Sequence, residues 1–291
     1  KFELSAKKQM LLQFAAALIA VISGVTIATI DFAGVSYNFS LWTHAFDLGF
    51  FTYVMTMPGD LISLVWILAI MNAINWMSGI DAIGELATFI TAFTTMLLSV
   101  RAGQPEIALL SGALAAGLLG FIPFNFPPSR IESGTAGTTG YGFILAIFAV
   151  ISGSKITSAI TLLSLPVIDM IWVMVYRFIK LRDVPFFKRP FVSGDVHLHH
   201  RLMALGLNQV QTLFLEVSLI SLISLIAFYF GGFSSSFMMP VVVIALLIVI
   251  FTVISLIARR QKQLKLSKPV EGPPQPPIVD SGPTPEEKYA Y

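Results

Sequence analysis

Long apolar runs dominate the chain, and its polar positions are confined to the short gaps between them. Eight such segments run at about 9–30, 50–75, 83–100, 105–124, 139–154, 156–176, 209–230 and 238–258. A helix of about 20 apolar residues rises far enough to cross the ~30 Å hydrocarbon core of a bilayer. The pattern therefore predicts an all-α, polytopic transmembrane helical bundle of about eight spans. The second segment is interrupted by Pro58-Gly59-Asp60, and its clean part, Leu61 to Ile74, covers only ~21 Å at ~1.5 Å per residue. The residues after it are expected close to the membrane surface. Between the first two segments Val35, Tyr37, Phe39 and Leu41 alternate with polar residues at period two, which predicts a small surface strand or hairpin. No internal repeat is visible.

Composition reinforces the membrane reading. Of 291 residues, 56% are hydrophobic and 12% charged, where a soluble domain carries about twice that charged fraction. There is no cysteine, which excludes disulfides, thiolate catalysis and Cys-based metal sites. The net charge of +2 matters less than where the basic residues lie. With the N-terminus inside and eight alternating spans, 16 of the 18 Lys and Arg fall on the cytoplasmic side, leaving Arg101 and Lys155 outside. Segments 72–82, 125–138 and 177–208 are then cytoplasmic. Beyond the last span the chain turns basic and then Pro-rich. Residues 1–260 read as the membrane domain and 261–291 as a disordered cytoplasmic tail.

Three cytoplasmic stretches carry polar residues that need a reason. In "NAINWMSGIDAIGE", helical spacing puts Asn72, Asn75, Ser78 and Gly79 on one face. Asn75 offers a neutral oxygen to a hard cation, and Asp81 a carboxylate for a cation or a proton; amides that merely join helices are the competing reading. In "FNFPPSRIESGTAGTTGYG", a Gly- and Thr-rich turn precedes a helix, where backbone amides suit a phosphate and Arg130 could pair with one. In "SGDVHLHHRL", three of the four histidines fall within four positions beside Arg201. Imidazoles gripping a diphosphate suit this loop at least as well as a zinc site, for which Asp195 is the nearby extra ligand. Within the spans, Asp169 invites either a functional role or pairing with a basic residue, and Glu216 is similar.

These pieces occur in one order. "NAINWMSGID", "FNFPPSRI…SGTAGT", "PVIDMIWVMVYRFIK" and "HLHHRLMALGL" together resemble the polyprenyl-phosphate N-acetylhexosamine-1-phosphate transferases of glycosyl transferase family 4. The histidine loop is more like the teichoic-acid and O-antigen initiators than the related phospho-N-acetylmuramoyl-pentapeptide transferase. The resemblance covers roughly residues 1–260. It implies a bacterial plasma-membrane enzyme with a cytoplasmic active site. Such an enzyme would move N-acetylhexosamine 1-phosphate from a UDP-amino sugar to undecaprenyl phosphate, release UMP, and use Mg²⁺, with Mn²⁺ as an alternative.

Carried over residue by residue, the resemblance implies Asn75 and Thr135 as metal ligands. Asn72, Arg130, His197 and Arg201 would bind substrate, and Asp81, His199 and His200 would be catalytic. Membrane lipids surround such a protein, nucleic acid has no part in it, and a homodimer is compatible with it. Four departures stand out. The family's Asp-Asp pair, with two or three spans before it, would lie upstream of Lys1, so the sequence is expected to be N-terminally truncated relative to the family. Ser78 and Thr135 stand where bacterial relatives have Asp, and Ala82 where they have Gly. Glu132 is a candidate to replace the charge lost at 135.

A catalytically inactive paralogue that binds lipid phosphate or nucleotide sugar as a scaffold is the alternative that these departures suggest. A transporter is disfavoured, because the polar motifs gather at one membrane edge rather than at a midplane site. Single cysteines introduced near Ser193 and Gly282 should resist an impermeant thiol reagent in intact cells, and one near Ser234 should react. Labelling at Ser193 from outside would contradict the topology.

Overall fold

The computed structural model describes residues 4–32, 35–47, 49–152, 156–192, 196–231 and 238–267. Helix α1 (Ala6–Ile22) leads into strands β1 (Thr29–Phe32), β2 (Val35–Asn38), β3 (Ser40–Asp47) and β4 (Thr52–Pro58). Helices α2 (Gly59–Met77), α3 (Ile83–Arg101), α4 (Pro105–Asn125) and α5 (Gly134–Ile151) follow. The chain continues through α6 (Ile156–Leu162), α7 (Ser164–Lys180), a 3₁₀ turn at Phe186–Phe191, α8 (Leu198–Ala204), α9 (Gln209–Phe230) and α10 (Met238–Ser267). Among the described residues six helices are long and apolar enough to cross a membrane: α2, α3, α4, α5, α9 and the Met238–Ala258 part of α10. The chain is an all-α polytopic membrane protein.

Two of the eight expected spans take other forms. Helix α1 has 17 residues and stops at Ile22, because the apolar run that follows is rich in β-branched residues and enters β1. The segment 156–176 divides into α6 and α7 at Leu163, and Pro166 sits in the first turn of α7, where its missing N–H costs nothing. The second apolar segment is also corrected: residues 52–58 are a strand, and the helix begins at Gly59. Helix α10 continues through 261–267, which the sequence reading placed in the tail, and the Pro-rich part lies outside the described residues.

The alternation at 35–41 becomes strand, and more of it than expected. Strands β1 and β2 pair antiparallel (Ile30 opposite Tyr37), as do β3 and β4 (Thr43 opposite Thr56). Strand β2 is exposed on both faces, so its alternation marks no buried side.

These hairpins are fastened to the start of α2 by Asp60, a buried carboxylate. Its Oδ1 accepts from the Thr26 hydroxyl at 2.7 Å, and its Oδ2 from the Tyr53 hydroxyl at 2.5 Å and the Thr56 N–H at 2.9 Å. Burial, then the hydrogen bond and negative charge of Asp60, push the Tyr53 hydroxyl up to about 12. Gly59 permits the approach, since a Cβ there would lie 2.9 Å from the Ile27 carbonyl oxygen and 3.3 Å from that of Phe39. The Pro-Gly-Asp interruption is thus the joint between hairpin and helix.

The bundle has two main apolar cores. Ala17, Ile67, Ile70, Ile74, Leu145 and Ala146 join α1, α2 and α5. Gly142 lets α5 lie against α2, because a Cβ there would meet the Met71 Cα at 2.7 Å. Ile83, Leu165, Leu213, Ile220, Leu247 and Phe251 join α3, α7, α9 and α10. Facing outward are large apolar side chains such as Leu109 and Leu119 on α4 and Val242 and Val249 on α10, as a lipid-facing surface requires. The α2–α3 turn, the α4–α5 loop and the segment carrying α8 meet at one end of the bundle.

Asp60→Asn keeps the shape but turns an acceptor-only group into one that presents an N–H₂ to existing donors. It should lower stability by about 2 kcal/mol, read as a reduced Tm in detergent. An unchanged Tm would show that the network does not hold the hairpin.

Candidate active site

The turn from α2 to α3 organises this end. Ser78 closes α2, its N–H and hydroxyl both donating to the Ile74 carbonyl at 3.2 and 2.7 Å. Gly79 bends back, its N–H donating to the Met77 carbonyl at 2.8 Å. Ala82 then adopts φ +64°, a left-handed conformation that costs a residue with a Cβ ~1–2 kcal/mol. Glycine, which the resemblance expects at 82, would meet no such cost.

The turn faces the α4–α5 loop across a cleft of about 470 Å³. Asp81 Oδ2 accepts from the Ser129 N–H at 3.2 Å, and the Ser133 hydroxyl donates to a Glu85 carboxylate oxygen. Asn75 Oδ1 accepts from the Thr138 hydroxyl at 2.7 Å, joining α2 to α5. Asn75, Asp81, Glu85, Asn125, Glu132 and Thr135 all line this cleft, together with the N-terminal Gly134 of α5. No Lys, Arg or His lines it among the described residues. The donors are carboxylates, amides and hydroxyls, all hard oxygen ligands.

A second, larger hollow of about 770 Å³ adjoins the first between α1 and α5. Leu12, Ala16, Met71 and Phe143 give it an apolar wall, and Ser133, Gly134 and Thr135 border both spaces. The N-terminus of α5 therefore stands between a polar cleft and a greasy groove.

The histidines lie behind the turn rather than in the cleft. Asp169, deep in α7, accepts the Leu198 N–H at 2.8 Å and meets His197 Nδ1 at 2.7 Å, which fixes the start of α8. Of the two readings of Asp169, the pairing one describes this contact. Trp76 meets the His197 ring edge to face at 6.2 Å. His199 is 1% exposed and packs against Gly79, where any Cβ would overlap its ring. Burial first, then the neighbouring His200, push its imidazole down to about 3, so it is neutral at pH 7. His200 lies against it with ring centroids 4.3 Å apart and planes tilted by 54°, and is partly exposed. Arg201 donates to the Ser255 hydroxyl at 2.9 Å and lies over the Trp172 ring, packed into the bundle.

Two other expected residues also lie outside the cleft. Asn72 does not line the cleft with Asn75, although the two are three residues apart on α2. It donates to Gln13 Oε1 at 2.9 Å and to the Leu68 carbonyl at 2.8 Å, tying α2 to α1. Arg130 is exposed. Asp195 lies outside the described residues. Among the described residues no three of His, Asp and Glu come together as a metal cage. Among the polar cleft residues, Glu85, Asn125, Ser133, Thr138 and Gln209 were not singled out by sequence. The one-turn spacing of Glu85 from Asp81 is the signal that was there to find.

Gly79→Ala should displace His199 and with it the α2–α3 turn. The Tm in detergent should fall by several degrees while far-UV circular dichroism is unchanged. A Tm equal to the parent's would show that the turn and α8 are not coupled.

The family profile described as glycosyl transferase family 4 matches residues 1–153. A probable undecaprenyl-phosphate N-acetylglucosaminyl 1-phosphate transferase of Bacillus subtilis is 30% identical over 215 residues, covering 72% of this chain and 54% of the relative. A phospho-N-acetylmuramoyl-pentapeptide-transferase of Rubrobacter xylanophilus is 27% identical over 206 residues, covering 69% and 58%. One of the same name from Moorella thermoacetica is 28% identical over 145 residues. The chain spans about half the length of the curated relatives it matches. With a profile match across more than half of the sequence, this chain belongs to glycosyl transferase family 4.

Proposed function

We propose that the protein transfers N-acetylhexosamine 1-phosphate from a UDP-sugar to undecaprenyl phosphate and releases UMP, at the cytoplasmic face of the bacterial plasma membrane. One observation carries this reading: the polar cleft and the apolar groove share the Ser133–Thr135 rim. A water-soluble diphosphate donor and a lipid-borne phosphate acceptor need such adjoining spaces. The names of the relatives agree with that chemistry.

The step is a phosphoryl transfer. An oxygen of the acceptor phosphate bonds to the phosphorus that carries the sugar, and the bond from that phosphorus to the UMP oxygen breaks, its electron pair leaving with UMP. Backbone N–H groups at the start of α5 point to where anionic oxygens would gather. The cleft's oxygen donors fit Mg²⁺, which is commonly held by one or two carboxylates together with substrate phosphates. Asn75, Asp81 and the Thr135 hydroxyl are the residues that would hold it. Bound there, it would offset the repulsion between the two anions. Thr138 keeps the Asn75 carbonyl oxygen fixed, and the Ser129 N–H orients the Asp81 side chain. His200, partly exposed on α8, would be the imidazole that donates to a phosphate reaching past the turn, with His197 and Asp169 anchoring that helix.

Full-length protein in nanodiscs should release UMP from a UDP-N-acetylhexosamine only when undecaprenyl phosphate is present. Chelation of divalent cations should abolish the release. Asn75→Ala and His200→Ala should each lower the rate by about 10². Folded protein that gives no UMP with any UDP-N-acetylhexosamine would overturn the reading.

A further inference from the structure

We infer that Glu85 is a second carboxylate, beside Asp81, that this chain presents to the divalent cation of the cleft, in place of the carboxylates absent at 78 and 135; the inference rests on the transferase reading above. Glu85 is 4% exposed, in the first turn of α3. It lines the same cleft as both of the depleted positions. Its chain neighbour Gly84 is packed against the Ser78 hydroxyl, where a Cβ would overlap it. Its own carboxylate takes the Ser133 hydroxyl, two residues before Thr135. An acidic group is thereby delivered from α3 to the helix start where the sequence has only a neutral threonine.

Its surroundings leave the charge without a cationic counterpart in the cleft. A carboxylate taken out of water is costly unless a cation offsets it, and the cleft lining contains no basic side chain among the described residues. A second, independent feature points to the same missing group. Asn125 is 3% exposed and lines the same cleft. Its Nδ2 donates to the Ile131 carbonyl at 2.9 Å, which fixes the amide, and its Oδ1 has no hydrogen-bond partner among the described residues. A buried carbonyl oxygen without a donor is costly and is also a good ligand for a hard cation. Two carboxylates, Asp81 and Glu85, the Asn125 amide oxygen and the Thr135 hydroxyl around one cleft make a hard-oxygen protein share for Mg²⁺, with water and phosphate supplying the rest. Glu132, the replacement suggested by sequence alone, is exposed and has neither feature.

The test is Mn²⁺ titration of full-length protein in nanodiscs, in the presence of UMP, followed by the electron paramagnetic resonance signal of free Mn²⁺. Glu85→Gln should raise the Kd about tenfold. Adding Thr135→Asp to that variant should restore the affinity by supplying the charge from the other side of the cleft. Should Glu85→Gln fail to fold, Glu85→Asp, which retracts the carboxylate by one methylene, should weaken binding several-fold. Parent protein that binds Mn²⁺ while these variants bind it equally well would overturn the role of Glu85 and leave the transferase standing. Parent protein that binds no Mn²⁺ would overturn the metal reading in both.

Discussion

Five residues between α2 and α3 tie the polar end of the bundle together. Gly79 is pressed against the His199 ring, Asp81 takes an N–H from the α4–α5 loop, and Glu85, one helical turn later, takes the hydroxyl that begins α5. Two segments far apart in sequence, the α4–α5 loop and α8, are thus held at one turn, with no room for a Cβ at Gly79. The strain accepted at Ala82 is intelligible on this basis, because relaxing its backbone would release all three contacts. The opposite end is arranged differently, with one buried carboxylate, Asp60, collecting the hairpins onto α2.

The placement of the histidines changes how their chemistry is understood. A buried, neutral His199 behind the turn cannot itself be a charged grip on a diphosphate; it is a wedge that sets the position of Gly79. Asp169 orients His197 and holds the first N–H of α8, so the mid-helix charge acts through the loop rather than at the membrane centre. Of the three imidazoles, His200 is the most exposed to solvent.

The membrane character, the helix order and the gathering of polar motifs at one end were legible in sequence, because hydrocarbon admits only self-satisfied backbone and expels charge to the edges. The period-two stretch at 35–41 was legible as strand for its β-branched and aromatic residues. What the pattern could not separate were apolar runs that are strand from those that are helix, as at 52–58, since both are simply hydrophobic. Of the residues that the sequence proposed for the site, Asn75, Asp81 and Thr135 line one cleft. Asn72 was misplaced because α2 lies between α1 and α5, and neighbouring faces of one helix serve different partners. The resemblance implied Arg201 as a substrate contact; in the structure its guanidinium donates to Ser255 and lies over Trp172. Glu85 escaped notice because a glutamate in the first turn of a helix is so often a mere complement to the helix dipole.

The central claim is that a nucleotide sugar binds between the α2–α3 turn and the α4–α5 loop. Photo-crosslinking with a 5-azido-uridine analogue of the UDP-sugar, followed by peptide mapping, tests it most directly. Labels should fall within residues 75–85 and 125–138 and be displaced by unlabelled UDP-sugar. Displaceable labelling confined to α10 or to the hairpins at the Asp60 end would contradict the claim.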